Sequence, residues 1–127
     1  MLVNENTVGT AVLNRAMKVH SSLGPGLLES VYELCLVYEL SKMGIKASRQ
    51  VALPVRYDGI EIEGGFRVDL VVEDQVIAEI KAVERILPVH RSQLLTYLRL
   101  SGLKLGYLLN FNVPHMRDGI KRVVNGL

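Results

Sequence analysis

Apolar and polar positions change period several times along the chain, and each change marks an element. Over residues 5–22, Val8, Val12, Ala16 and Val19 recur at helical spacing, with Ala11 and Leu23 nearby. Asn4, Asn6 or Thr7 offers a start cap. Gly24-Pro25-Gly26 stops this helix and opens a second over about 26–43, closed by Gly44. The second helix is apolar almost all round, through Leu27, Leu28, Val31, Leu34, Cys35, Leu36, Val37, Tyr38 and Leu40. That pattern predicts burial on more than one side. At about 100° per residue, Glu29 and Glu33 share a face with Leu36 and Leu40, so neither is expected on a fully wet face. Like charges at this spacing cost an isolated helix roughly 0.2–0.5 kcal/mol, which a metal or a basic partner would offset.

The period then shortens to that of strands. Gln50–Tyr57 reads as one, with a turn at Asp58-Gly59 and a continuation over Ile60–Glu63. Pro54 predicts an edge position or a bulge. Gly64-Gly65 leads into Phe66–Val72, and a polar break at Glu73-Asp74-Gln75 separates it from Val76–Ala82, which predicts a hairpin. A helix follows from Pro88, a residue suited to a first turn, to about Ser101-Gly102. Leu103–Asn110 reads as a buried strand and Asn112–His115 as a loop. Met116–Val124 fits a short helix or a last strand, with Gly119 leaving the choice open. The helix between the Glu79 strand and the Leu103 strand is long enough for a crossover, so those strands are expected to run parallel. The expected fold class is α/β, with a mixed central sheet flanked by helices.

Composition narrows the picture. A chain of 127 residues suits a single domain, 1–127, with one core. Trp is absent and aromatics are 6%, so Leu, Val and Ile must fill that core. The net charge of +2 permits nucleic-acid binding without arguing for it. The single cysteine, Cys35, excludes an internal disulfide and any cluster held by several thiolates of one chain. Its apolar neighbours predict a buried small side chain. No apolar run approaches the ~20 residues of a membrane span. The start, Met-Leu-Val-Asn-Glu-Asn, lacks the basic and apolar regions of a secretion leader, so a cytoplasmic protein is expected.

The chemistry concentrates in the hairpin. Side chains alternate along a strand, so Glu79 and Lys81 point one way while Ala78, Ile80 and Ala82 point the other. Charged groups in strands this apolar need a metal, a ligand or each other. Asp69, Glu79 and Lys81 converging in a sheet suit divalent-metal chemistry on a phosphate. On the following helix His90, Gln93 and Tyr97 share one face, supplying donors that a phosphate-binding surface needs.

Asp69-x9-Glu79-Ile-Lys81 on adjacent strands resembles the signature of the PD-(D/E)XK nuclease superfamily. The element order resembles that superfamily's restriction-endonuclease-like core. Gln93-Leu-Leu-Thr-Tyr97 is similar to the Gln-x-x-x-Tyr motif of RecB-like nucleases. Gly26-Leu-Leu-Glu29-Ser-Val-Tyr32 resembles the segment that names the GxxExxY family. The resemblance implies that Asp69 and Glu79 ligate Mg²⁺ or Mn²⁺, with Glu29, or Glu33 one turn later, completing the site. It implies that Lys81 orients or activates the attacking water or stabilises charge on the phosphate. Gln93 and Tyr97 would contact the substrate backbone or steady the site. The implied activity is hydrolysis of phosphodiester bonds in nucleic acid, DNA ahead of RNA. The chain departs from the pattern in placing Val68 where proline often precedes the aspartate. It lacks the four cysteines of relatives that carry an iron–sulfur cluster, and His20 does not clearly match their first-helix histidine.

Plainer alternatives stand beside this reading. Glu79 and Lys81 fit a structural ion-pair network with Asp69 and Arg67, and Glu29 and Glu33 fit pairing with a Lys or Arg. His90 fits a helix start, and Gly24-Pro25-Gly26 fits a turn better than a phosphate cradle. Lys104, Arg117, Lys121 and Arg122 form either a solvated surface or a rim for nucleic-acid phosphates. A non-catalytic nucleic-acid-binding or protein-interaction module retaining the fold, or a small-molecule phosphohydrolase, is the functional alternative. A homodimer, which would bring two sites to one duplex, is compatible with the nuclease reading.

Overall fold

A computed structural model describes residues 4–127; Met1, Leu2 and Val3, which begin the segment bearing on a secretion leader, lie outside the described residues. In chain order the elements are α1 (Glu5–Leu23), α2 (Glu29–Lys42), β1 (Ala47–Tyr57), β2 (Ile60–Val72) and β3 (Val76–Lys81). They continue with α3 (Pro88–Ser101), β4 (Leu105–Asn110), a 3-10 turn (Met116–Gly119) and β5 (Ile120–Val124). The five strands form one sheet in sequence order, antiparallel except for the β3–β4 pair, which α3 connects as a crossover. The α/β class, the mixed sheet and the parallel pair agree with the expectation from sequence.

Alternation along the central strands divides the core into two layers. Val76, Ala78 and Ile80 of β3 and Leu105, Tyr107 and Leu109 of β4 pack beneath α1 and α2. Ile77 and Leu108 face the other way, onto Leu94 and Leu98 of α3. Both faces of β3 and β4 are therefore covered, as their unbroken apolar runs require. No helix among the described residues is long and apolar enough to cross a membrane.

Local signals account for most boundaries. Asn4 Oδ1 accepts the Thr7 N–H at 2.9 Å and caps α1, the role for which Asn6 and Thr7 also competed. Glu73 and Asp74 both take left-handed φ, 53° and 54°, at the centre of a tight turn closed by the Gln75 N–H on the Val72 carbonyl, within a three-residue connection between β2 and β3. Pro54 marks the one register shift between β1 and β2, and β1 is an edge strand, so both of its predicted settings hold. The Met116–Val124 segment is divided, a 3-10 turn up to Gly119 and a strand after it. Gly119 is needed there because its backbone lies against the Asn110 carbonyl, where any side chain would collide.

Two expectations for α2 are corrected. The helix starts at Glu29, not near Gly26, because the preceding segment is tied down as a loop. The buried Tyr32 hydroxyl donates to the Gly24 carbonyl at 2.6 Å and accepts the Leu27 N–H at 3.1 Å. Gly26 sits at φ 101°, outside the helical region. Nor is the helix buried on more than one side: Tyr32, Glu33, Leu36 and Leu40 face the core, while Leu28, Leu34 and Tyr38 are exposed. Cys35 is half-buried at the edge of the core and not enclosed by it.

Tyr32→Phe keeps the stacking of this ring on Phe111, at 4.5 Å between centroids, and removes only the two loop hydrogen bonds. A loss of about 1–3 kcal/mol is expected, from buried groups left unpaired, with little change in the denaturant m-value. Urea unfolding followed by circular dichroism measures both.

Candidate active site

Asp69 sits where the sheet opens. The β2–β3 ladder begins beside the turn and its last matched pair is Leu70 with Ala78. Asp69 and Glu79 are the next residues along, at the point where the strands part. The side-chain pattern of β2 also switches there. Leu70 and Val72 belong to the α1–α2 layer, yet Val68, two residues earlier, packs in the α3 layer together with Phe66. A regular strand would keep these on one face. The break turns Asp69 inward, where its Oδ2 accepts the Ile80 N–H at 2.7 Å.

Glu79 is 7% exposed, and its Oε1 has no hydrogen-bond partner. Burial pushes its carboxyl up to about 9, the adjacent Asp69 adds to the rise, and Lys81 opposes it. Without a cation this pair thus favours a proton on Glu79 at neutral pH. Among the described residues no ion pair joins Asp69 or Glu79 to Arg67 or Lys81, so the structural network weighed from sequence does not form. Lys81 ends β3, half-exposed, beside Asn110 of β4.

The two carboxylates of α2 take separate partners. Glu33 is buried, and Arg49 donates to its Oε2 from Nε at 3.0 Å and from an Nη at 2.9 Å. Gln50 Nε2 donates to Glu33 Oε1 at 2.7 Å and reaches Asp69 Oδ1 at 3.4 Å. Glu29 is exposed, and its Oε2 accepts the Ala82 N–H at 2.9 Å, which ties the start of α2 to the end of β3. These groups line a cavity of about 370 Å³ with Ser30 and Ile80. Among the described residues, no three His, Cys, Asp or Glu side chains stand close enough together to share a cation. The structure brings Asp69 and Glu79 together; it does not bring Glu29 or Glu33 into a three-carboxylate group with them.

On the opposite layer, Tyr97 stacks on Phe66 with centroids 4.7 Å apart. Its hydroxyl is pushed above the ordinary range by burial first and then by the charges of Glu79 and Asp69. Gln93 lies one turn earlier on α3 and is exposed. His90 accepts the Leu87 N–H on Nδ1 at 3.0 Å, a helix-start role. Reading the sequence missed Arg49, Gln50 and Asn110. Asn110 is buried at the end of β4 and pairs both backbone groups of Val83, fixing the chain just beyond Lys81. A polar residue ending an apolar strand run was the available signal for it.

The donor set suits a hard divalent cation. Such ions take oxygen ligands, and Mg²⁺ commonly rests on one or two carboxylates with water and phosphate oxygens completing its shell. The unpartnered oxygen of Glu79 beside Asp69 is the feature a cation would satisfy, since its charge offsets both the burial and the repulsion.

Comparison with known proteins points the same way. A sequence model of the PD-(D/E)XK nuclease superfamily matches residues 6–123. Curated proteins give no match. Among solved structures, that titled "Crystal structure of SSO0001" is similar, with a TM-score of 0.56 and 18% identity. The match covers 93% of this chain and 66% of that one, so this chain spans just under two thirds of its relative. At this identity the likeness concerns the fold.

The raised Glu79 value sets a pH dependence. A carboxyl whose folded value lies above the unfolded one, here about 9 against 4.5, stabilises fully below the lower value. That contribution is lost as pH rises through the higher one. The melting temperature of metal-free protein is therefore expected to fall from about pH 5 to about pH 9 more steeply than that of Glu79→Gln. Parallel curves for the two proteins in thermal melts would contradict this.

Proposed function

The chain belongs to the PD-(D/E)XK nuclease superfamily, and from that premise we propose that it hydrolyses phosphodiester bonds of nucleic acid, DNA ahead of RNA, with Mg²⁺ or Mn²⁺ as cofactor. The observation that carries the metal assignment is the buried, unpartnered Glu79 oxygen beside Asp69. These two residues would hold the cation. When bound, the ion polarises a phosphate oxygen and lowers the pKa of water.

The protein's own groups divide the remaining work. The Ile80 N–H fixes one Asp69 oxygen, so the carboxylate keeps its orientation before substrate arrives. Lys81, at the end of β3, orients the attacking water or stabilises charge on the phosphate. Glu29 holds the backbone at Ala82 and with it the position of Lys81. Gln93 and Tyr97 contact the substrate backbone from α3. Gly26, Glu29 and Tyr32 support placement in the GxxExxY family, and Gln93 with Tyr97 supports a RecB-like placement. We further propose a cytoplasmic setting.

Lys104, Arg117, Lys121 and Arg122 are exposed, on or near β5, at the sheet edge opposite β1. A rim there would extend phosphate contacts beyond the catalytic strands and make binding fall with salt. A second reading, a binding module without catalysis, draws on the separate engagement of Glu29 and Glu33, which leaves no third carboxylate beside Asp69 and Glu79 among the described residues.

The test is cleavage of labelled single- and double-stranded DNA and RNA with Mn²⁺, Mg²⁺ or EDTA. Metal-dependent cleavage is expected, reduced roughly a hundredfold or more in Lys81→Ala and in Glu79→Ala while their circular dichroism matches the parent. Equal cleavage by both variants would overturn the mechanism. Salt-sensitive binding without cleavage would select the binding module.

A further inference from the structure

Among the described residues, four non-glycine positions have positive φ. Asp58, Glu73 and Asp74 lie in hairpin turns, where such values are ordinary, but Gln50, at 50°, lies inside β1. Left-handed backbone is unfavourable for a glutamine, and such positions persist where the surroundings over-determine them. The β1–β2 ladder passes from Arg49–Leu70 to Val51–Val68 and leaves Gln50 across from Asp69.

Geometry shows what the unusual backbone accomplishes. Successive residues of a regular strand point to opposite faces. Arg49 and Gln50 nevertheless both reach Glu33, the first at Oε2 and the second at Oε1. The left-handed turn at Gln50 brings its carboxamide to the same side as the guanidinium. From there the same Nε2 also reaches Asp69 Oδ1, while Ile80 N–H holds Asp69 Oδ2. Asp69 is thus gripped from two sides, and Glu33 anchors the grip to α2.

We propose that Gln50 is a positioning residue for Asp69, aiming that carboxylate for cation binding through a strained backbone and the Glu33 anchor. This rests on the divalent-cation reading of Asp69 and Glu79. It gives Glu33 the role of a support and not of a ligand.

Gln50→Gly and Gln50→Asn separate the backbone from the carboxamide. Both residues tolerate left-handed φ, and neither reaches Asp69 as glutamine does. Calorimetric titration with Mn²⁺ alone is expected to show affinity lowered about 10–100-fold in both variants, the usual effect of losing an outer-shell partner. The kcat for DNA cleavage should fall with KM little changed. Metal-free Gln50→Gly should melt somewhat below the parent, because relief of the backbone only partly offsets the hydrogen bonds lost at Glu33 Oε1 and Asp69 Oδ1. Parent-like Mn²⁺ affinity in the variants would overturn the inference, as would a loss that merely tracks melting temperature. A parent that takes up no Mn²⁺ and does not cleave would instead overturn the cation reading, and this inference with it.

Discussion

Everything near the centre of this molecule answers to one unfavourable arrangement, a glutamate buried beside an aspartate. An ionised carboxylate is costly to remove from water, and a second one next to it raises the cost. The fold sustains the pair because β3 is covered on both faces and pairs with β4 along its length, which keeps Glu79 enclosed where β2 has parted from it. The surrounding hydrogen bonds serve Asp69 and leave one Glu79 oxygen free. The buried Glu33 has donors on both of its oxygens, whereas Glu79 beside Asp69 does not.

The two carboxylates of α2 illustrate the contrast. Glu33 is as buried as Glu79, yet it has three donors from Arg49 and Gln50. Glu29 is exposed and spends its hydrogen bond on the backbone beyond Lys81. Together they clamp α2 across β1 and the end of β3, which fixes those strands relative to the helix. The segment Gly26–Tyr32 has a structural logic of its own: Gly26 takes a left-handed loop conformation, Glu29 ties the helix start to the end of β3, and Tyr32 pins the loop while stacking on Phe111.

Much of this was legible in the sequence. Strand alternation, the polar break at Glu73–Gln75 and Pro88 located the hairpin and the crossover, because they depend on nearest neighbours. Asp69, Glu79 and Lys81 stood out as charges in apolar runs. What was hidden depends on distant partners. The start of α2 was misplaced because Leu27 and Leu28 extend the apolar run, while the hydroxyl that prevents helix there is on Tyr32, buried a turn later. The wet face of α2 was unreadable because periodicity reports hydrophobicity and not coverage. Gln50 gave no signal at all, since its φ of 50° follows from a carboxylate 17 residues away and from a ladder that skips Asp69.

The tight turn at Glu73-Asp74 has a consequence for how the molecule assembles. It joins Asp69 to Glu79 through a loop of a few residues, so these two meet with little loss of chain entropy. Hairpins of this kind close in microseconds, whereas the parallel β3–β4 pairing must await the whole of α3. Asp69 and Glu79 are therefore neighbours before the core exists to bury them. Early in folding they face water and both can ionise; as α1, α2 and α3 settle, burial beside Asp69 draws a proton onto Glu79.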